Sequence, residues 1–241
     1  LTRLSSGSRI TQPADDAGGL AVSMKLSGTI NRLSGVEKNI DNAISFLQVQ
    51  DGILDSAGKI LDRMAELKAL SQDVLKNASD IANYNSEFQN LQVQLHQMSQ
   101  TTFNGVSLAG AGTTAIFGGD DSEDVTVSIF TSATGESGSK VSINKTMLLS
   151  ALTIDASDLT SASFTNAGKN NGAAAGTGGI FSFAADTVAG TMTLDKVSVA
   201  VFTQALQNVA TLRAENGGSV SRLQFSKESA AAQKTNLEAA N

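Results

Sequence analysis

Residues 26–67 read LSGTINRLSGVEKNIDNAISFLQVQDGILDSAGKILDRMAEL, and their apolar residues recur every seven positions. The pattern extends from about residue 20 to residue 78, and a second column of mostly apolar or small residues lies three places further along each heptad. The first column is Leu26, Leu33, Ile40, Leu47, Leu54, Leu61, Lys68 and Leu75. A heptad pattern this long, with no proline inside it, predicts one continuous α-helix of roughly 90 Å. Such a helix can bury its apolar stripe only against partner helices.

Two further segments carry helical patterns. The first follows a polar turn predicted at residues 77–85 and is expected to end near Thr102; its apolar residues are Phe88, Leu91, Leu95 and Met98. The short connection favours an antiparallel arrangement with the long helix. In the second segment, from about residue 195, the seven-residue period returns through Phe202, Val209, Asn216, Leu223, Ala230 and Leu237, with Leu212 in the companion column. Gly217 and Gly218 interrupt this period locally, at a cost of about 1 kcal/mol per glycine relative to alanine.

Between these helices the helical periodicity disappears. Alternating apolar and polar residues at 125–130 predict a strand, and a Gly- and Ala-rich stretch at 168–179 is close to low complexity. The other predicted elements are a return strand at 141–143, a short helical turn at 147–152, and strands at 180–183 and 191–194. The residues at 103–105 are a turn signal.

Together these patterns predict an α+β fold, an elongated bundle of long antiparallel α-helices with a small β-rich insertion. We assign residues 1–106 and 195–241 to a helical rod domain. Residues 107–194 form the predicted insertion, made of hairpins and a small outer domain. Aromatic residues make up only 5% of the chain, which favours thin helical cores of Leu, Ile and Ala over one thick globular core.

Composition argues against several classes of function. The net charge of −6 does not suit duplex nucleic acid, which needs a basic face. The absence of cysteine excludes disulfides and thiolate zinc sites. No run approaches the roughly 18 apolar residues of a membrane-spanning helix, so we expect no membrane insertion. The chain begins at Leu1 and both ends fall within polar or helical patterns, so we interpret it as a trimmed fragment without its natural ends.

Three groups of polar residues could carry chemistry, and each has a simpler interpretation. Asp15 and Asp16 could hold a metal, but they are better explained as carboxylates at a helix N-terminus. The acidic cluster Asp120, Asp121, Glu123 and Asp124 could hold Ca²⁺ weakly, but its spacing does not match an EF-hand loop and favours a solvated loop. His96, the only histidine, has no evident catalytic partner and is interpreted as a boundary residue. We therefore expect neither an enzyme nor a cofactor.

The chain resembles bacterial flagellin. The resemblance covers residues 1–108 and 195–241, while the middle does not match and is variable in the family. It rests on Arg3 to Ile10, Asp15 to Ala21, Gln48 to Gly52, Arg63 to Leu67, Phe103 to Gly105, Leu212-Arg213 and Ser221 to Leu223. It implies a D1-like helical domain whose inner D0 segments lie outside this sequence. It also implies a secreted structural subunit, exported unfolded by the flagellar type III apparatus, that polymerises into the extracellular filament that drives motility.

The same resemblance implies partners and site residues. The partners are further copies of the chain, an export chaperone and the cap and junction proteins, although a fragment of this kind is expected to be monomeric. A flagellin-sensing Toll-like receptor is a further candidate, because Arg63, Glu66 and Leu67 match the patch that it reads. The second helix departs from the family at Gln92, Gln94, His96 and Gln97, where charged residues are common.

We expect an assembly junction near the N-terminus and a seam that holds the protomer together. The junction motif comprises Leu4, Ser5, Ser6, Gly7, Arg9, Asp15, Asp16, Gly18 and Gly19. The seam comprises Leu26, Leu33, Ile40, Leu47, Leu54, Leu61, Phe88, Leu91, Leu95, Val209, Leu212 and Leu223. One alternative is a hook–filament junction protein, although that family usually has proline directly after the paired aspartates, where this chain has Ala17. A surface adhesin or binding protein is the other.

Overall fold

The computed structural model describes residues 17–103, 106–107, 126–144, 148–155 and 180–240. Most of them lie in helices α1 (Ala17–Ser71), α2 (Ala78–Ser99), α3 (Leu148–Ala151) and α4 (Val199–Ala240). The strands are β1 (Thr102–Phe103), β2 (Val106–Ser107), β3 (Thr126–Phe130), β4 (Lys140–Asn144), β5 (Thr153–Asp155) and β6 (Ile180–Ser182). Single 3-10 turns cover Gly135–Ser137, Val188–Gly190 and Leu194–Lys196.

The strands form three two-stranded sheets within the described ranges. β1 pairs with β2, β3 with β4, and β5 with β6. The first and third pairs are antiparallel, with Phe103 opposite Val106 and Asp155 opposite Ile180. The predicted fold class is therefore confirmed: long helices combine with short strand pairs.

The described residues fall into two compact units. The first draws on Leu1–Ser45, Ser128–Ser142 and Val220–Asn241, and the second on Phe46–Val127 and Ile143–Ser219. In the first unit, α1 buries Leu33, Val36, Ile40 and Ala43, and α4 buries Leu223 and Ala230. Two arginines hold β4 and the segment that precedes it against these helices. Arg32 Nε donates to the Ala133 carbonyl at 3.1 Å, and Arg222 Nη2 donates to the Ser142 carbonyl at 2.6 Å.

The second unit contains a continuous hydrophobic core. Three aromatic rings lie at its centre: Phe202 makes an edge contact with Phe88 at 6.0 Å between ring centroids and packs against Phe183 at 5.1 Å. Around them lie fully buried residues of all four helices and of β5, including Leu54, Leu61, Met64, Leu67, Leu95, Leu148, Ala151, Ile154 and Ala205. Residues 148–154 and 183–194, which the sequence places in the insertion, thus contribute to a helical core.

The end of α1 differs from the sequence prediction. The heptad pattern continues to Leu75, yet α1 ends at Ser71, and Val74 and Leu75 are 95% and 88% exposed. A heptad position adds no stability where it meets no partner helix. The Asp73 carboxylate instead accepts a hydrogen bond from the Leu75 N–H at 2.9 Å, which favours a turn.

The prediction of a polar turn at residues 77–85 is wrong, because α2 begins at Ala78. Asn77 is the N-cap, and it forms a reciprocal capping box with Asp80. The strand predicted at 191–194 is also wrong. In the described part of the chain, these residues pair with side chains of α2 and not with another strand. The Met192 N–H donates to Gln92, and the Leu194 N–H donates to Asn85.

Other predictions are matched more closely. The strand at 125–130, its return strand and the helical turn at 147–152 correspond to β3, β4 and α3. α4 runs without a break through Gly217 and Gly218, so these glycines do not interrupt it. The Gly-rich stretch at 168–179 lies outside the described residues. No helix in the described part of the chain has the length and hydropathy needed to cross a bilayer.

Candidate functional site

A cluster of three charged residues, Arg63, Glu66 and Glu87, connects the solvent-facing sides of α1 and α2. Arg63 Nε and Nη2 donate to the two carboxylate oxygens of Glu87 at 2.7 and 2.9 Å, and Arg63 Nη1 contacts Glu66 Oε1 at 3.0 Å. Glu66 is three residues after Arg63, which places both on one helix face. The planar guanidinium matches a carboxylate at both oxygens and fixes the side-chain orientation. The hydrogen bonds to Glu87 raise the pKa of Arg63, and the hydrogen bond from Arg63 lowers the pKa of Glu87.

The predicted receptor patch does not form one surface. Arg63 and Glu66 are partly exposed, but Leu67 is fully buried in the core of the second unit. Of the four α2 residues that depart from the family, Gln92 is buried, His96 is half-buried, and Gln94 and Gln97 are exposed. The surface at this place therefore consists of charged and amide groups, with Glu87 as a member that the sequence analysis missed.

A second charged group joins α4 to α1. Arg213 Nε and Nη2 donate to the two oxygens of Asp51 at 2.9 and 3.1 Å, and Nη1 donates to Asp55 at 3.3 Å. Lys59 contacts Asp55 from the next turn of α1 at 3.2 Å. The contact with Asp51 raises the pKa of Arg213. The sequence contained a signal for it, because Asp51 follows Gln50 and Arg213 follows Leu212, both in the companion columns of the heptads. Residues of opposite charge at such flanking positions commonly pair across helices.

The first unit carries a related contact. Lys227 Nζ lies 2.6 Å from Asp41 Oδ1, and this carboxylate raises the pKa of Lys227. Large apolar side chains also reach solvent on the helices of this unit: Val22, Met24 and Phe225 are exposed. These side chains and the charged forks formed by Arg63 with Glu87 and by Arg213 with Asp51 are accessible from solvent.

The junction motif lies mostly beyond the described residues. Gly18 and Gly19 belong to the first turn of α1, where Gly18 is exposed and Gly19 is half-buried. Leu4, Ser5, Ser6, Gly7, Arg9, Asp15 and Asp16 lie outside the described ranges, as does the acidic cluster Asp120, Asp121, Glu123 and Asp124. Of the seam residues, Leu26 and Leu91 are half-buried and the other ten are buried. The junction therefore stays a prediction.

In the part of the chain that the structure describes, no three His, Asp or Glu residues are grouped so that they could hold a metal ion. His96 is half-buried near the end of α2, and its carbonyl accepts a hydrogen bond from Ser99 Oγ at 2.5 Å.

Comparison with known proteins finds similarity to bacterial flagellins. Residues 1–113 match the family model described as the bacterial flagellin N-terminal helical region. A flagellin of Halalkalibacterium halodurans is 38% identical over 102 residues, which are 42% of this chain and 38% of that protein. The flagellar filament 30.7 kDa core protein of Treponema maltophilum is 36% identical over 109 residues, covering 45% of this chain and 38% of that protein. Escherichia coli flagellin is 31% identical over 157 residues, covering 63% of this chain and 32% of that protein.

The fold agrees with these matches. The crystal structure of Bacillus cereus flagellin superposes with a TM-score of 0.54 at 21% identity, over 85% of this chain and 95% of that chain. The protein therefore shares the helical fold of this flagellin. Residues 1–113 are thus similar to the N-terminal helical region of bacterial flagellins, and the fold is similar to that of Bacillus cereus flagellin. The chain spans between about a third and two-fifths of the length of these three curated relatives.

Proposed function

We propose that this chain is part of a structural subunit of the bacterial flagellar filament, a protein without catalytic activity. The observation that carries the proposal is the match of residues 1–113 to the flagellin N-terminal helical region, together with relatives named as flagellins and filament core proteins. The subunit would leave the cell through the flagellar type III apparatus, with an export chaperone, and polymerise outside the cell with further copies, the cap and the junction proteins.

The charged forks support an assembly role. Arg63 is held by Glu87, and Arg213 by Asp51, while all four side chains stay about 40% exposed. These charges are already held in one orientation and remain half-exposed. They can therefore favour a neighbouring surface of complementary charge without a further cost for ordering their side chains. The seam residues stabilise the protomer, so the outer faces of α1, α2 and α4 are left for contacts with other subunits. The junction motif around Asp15 and Asp16 is proposed to lie at such a contact.

The experiment is deletion of the gene in its natural host, followed by electron microscopy and a swimming assay. We expect cells that carry hooks but no filaments, and recovery of both filaments and swimming when the gene is returned. Immunogold labelling should then decorate the filament along its length. Label confined to the hook–filament junction would favour the hook-associated alternative, and normal filaments in the deletion strain of a host with no second flagellin gene would contradict the proposal.

Recognition by a flagellin-sensing Toll-like receptor is proposed as a secondary property. It would use Arg63 and Glu66, together with Glu87, since Leu67 is buried. A receptor reporter assay comparing the natural protein with Arg63→Ala tests it, with Lys59→Ala as the control on the same helix. Equal responses of the two variants would contradict this use of Arg63.

A further inference from the structure

Two polar side chains meet inside the seam between α1 and α4. Gln50 and Asn216 are 1% and 6% exposed. The Asn216 Nδ2 donates to the Leu47 carbonyl at 2.6 Å, and its Oδ1 accepts from Gln50 Nε2 at 3.0 Å. The chain thus places a direct amide-to-amide contact within a largely apolar contact between two helices that are distant in sequence.

Most positions around this pair are apolar, although Ser219, one turn further along α4, is also buried. Leu47 and Leu54 flank Gln50 on α1, and Val209 and Leu212 precede Asn216 on α4, and all four are buried. An aliphatic side chain at either polar position would bury more apolar surface. A buried amide pair at this place therefore does not increase the hydrophobic stabilisation of the seam, and a different advantage must explain it.

Alignment is that advantage. Both helices repeat their apolar residues every seven positions, so docking α4 one heptad out of place on α1 would again bring apolar columns together. Such a slip would move Asn216 away from the Gln50 amide and the Leu47 carbonyl and leave its amide among aliphatic side chains. A buried amide that loses its partners disfavours the slipped state by roughly one to two orders of magnitude. A single polar position inside a heptad seam is known to specify register at a cost in stability.

We propose that the Gln50–Asn216 pair fixes the alignment in which α4 docks on α1 during folding. The charged contact of Arg213 with Asp51 agrees with the same alignment, but it is half-exposed and screened by salt, so it discriminates weakly between alignments. The amide pair is shielded from water, and it is the group that rejects a misaligned α4. This inference concerns folding of the protomer and does not depend on the proposed function.

The experiment replaces the pair and measures the alignment after refolding from urea. Because the chain has no cysteine, Ser56→Cys and Thr211→Cys introduce the only two spin-label sites, both at exposed positions, one on each helix. With the native pair we expect one narrow distance between the labels. In Gln50→Leu/Asn216→Leu we expect a second distance population, produced by an axial shift of about 10 Å, while the melting temperature is unchanged or higher.

Two further variants make the result specific. Asn208 is a buried amide on α4 whose partners are Gln204 and the Ala151 carbonyl, neither of them on α1, so Asn208→Leu should keep the single distance. The exchange Gln50→Asn/Asn216→Gln retains two amides and should also give a single distance. A single distance in the double-leucine variant would overturn the proposal. Failure of that variant to fold would overturn it as well, because the pair would then supply stability and not alignment.

Discussion

The side-chain amide of Gln92 pairs with the backbone of Met192 in the way one strand pairs with another. Gln92 Nε2 donates to the Met192 carbonyl at 2.9 Å, and Gln92 Oε1 accepts from the Met192 N–H at 2.9 Å. Gln92 is fully buried, and its own carbonyl accepts the Ala185 N–H at 3.2 Å. One glutamine on α2 thus satisfies an extended segment that has no partner strand.

The first prediction follows from this contact. Gln92→Leu keeps the side-chain size but leaves the N–H and carbonyl of Met192 without these partners, so we expect a loss of about 1–3 kcal/mol of unfolding free energy. Urea denaturation followed by circular dichroism measures it. The control is Gln94→Leu, at an exposed position two residues further along α2, which should change the midpoint little. Equal midpoints for Gln92→Leu and the parent would show that these bonds add nothing.

The second prediction concerns pH. The Arg63 guanidinium lowers the pKa of Glu87 below its ordinary value of 4.5, so the contact stabilises the fold above that value and this contribution is lost as the pH falls through the lowered pKa. The parent should therefore be slightly more stable than Glu87→Gln at about pH 7, and the difference should vanish at about pH 2. Urea midpoints of both proteins at the two pH values test this. A difference that persists in acid would indicate that packing, and not charge, is responsible.

The third prediction concerns the start of α2. Asn77 Oδ1 accepts from the Asp80 N–H at 2.9 Å, and Asp80 Oδ2 accepts from the Asn77 N–H at 3.2 Å. Asn77→Ala removes this cap and should cost about 0.5–2 kcal/mol in thermal or urea unfolding. Asn83→Ala, at an exposed position inside the helix, should be neutral or slightly stabilising, since alanine is the better helix former. The same effect from both substitutions would argue against a capping role.

The fourth prediction concerns the segment between β5 and β6. Asp155 and Ile180 are directly opposite partners, so a two-residue Asn-Gly turn can join them in place of residues 156–179. We expect the shortened chain to keep its helical circular dichroism, with unfolding free energy unchanged or raised by up to about 2 kcal/mol through the shorter loop. Loss of cooperative unfolding would show that the removed residues contribute to the core of the second unit.

The fifth prediction tests the junction motif. Asp15→Lys/Asp16→Lys in the natural full-length protein should impair filament assembly, judged by electron microscopy, while circular dichroism of the monomer stays helical. Asp120→Lys/Asp121→Lys makes the same change of charge in the predicted insertion and should leave assembly intact. Normal filaments from the first variant would exclude the proposed role of this acidic pair.

The sequence predicts the long helices well because a seven-residue period sustained over many turns leaves few alternative folds. It predicts their ends less well. Leu75 continues the period but meets no partner helix, so the capping box at Asn77 and Asp80 decides the boundary. That spacing is visible in the sequence and would have corrected the prediction.

The surface residues are harder to predict than the seam. Leu67 continues a further apolar column, Phe46, Ile53 and Ile60, whose members each directly precede a residue of the first heptad column. This agrees with its burial, yet the motif resemblance placed it on a recognition surface. The burial of Gln92 has no simple sequence signal, because its partner is backbone 100 residues further along the chain. Contacts between a side chain and a distant main chain depend on tertiary structure, and no local pattern encodes them.

The segment at Leu194, just before α4, is held by side chains of α1 and α2 that lie more than 100 residues earlier in the chain. The Leu194 N–H donates to Asn85 Oδ1, and its carbonyl accepts from Lys68 Nζ, both at 2.8 Å. Asn85 and Lys68 are already part of the chain when Leu194 is added to it. The core of the second unit, which includes Phe202 and Ala205 of α4, can therefore be completed only after α1 and α2 have been made.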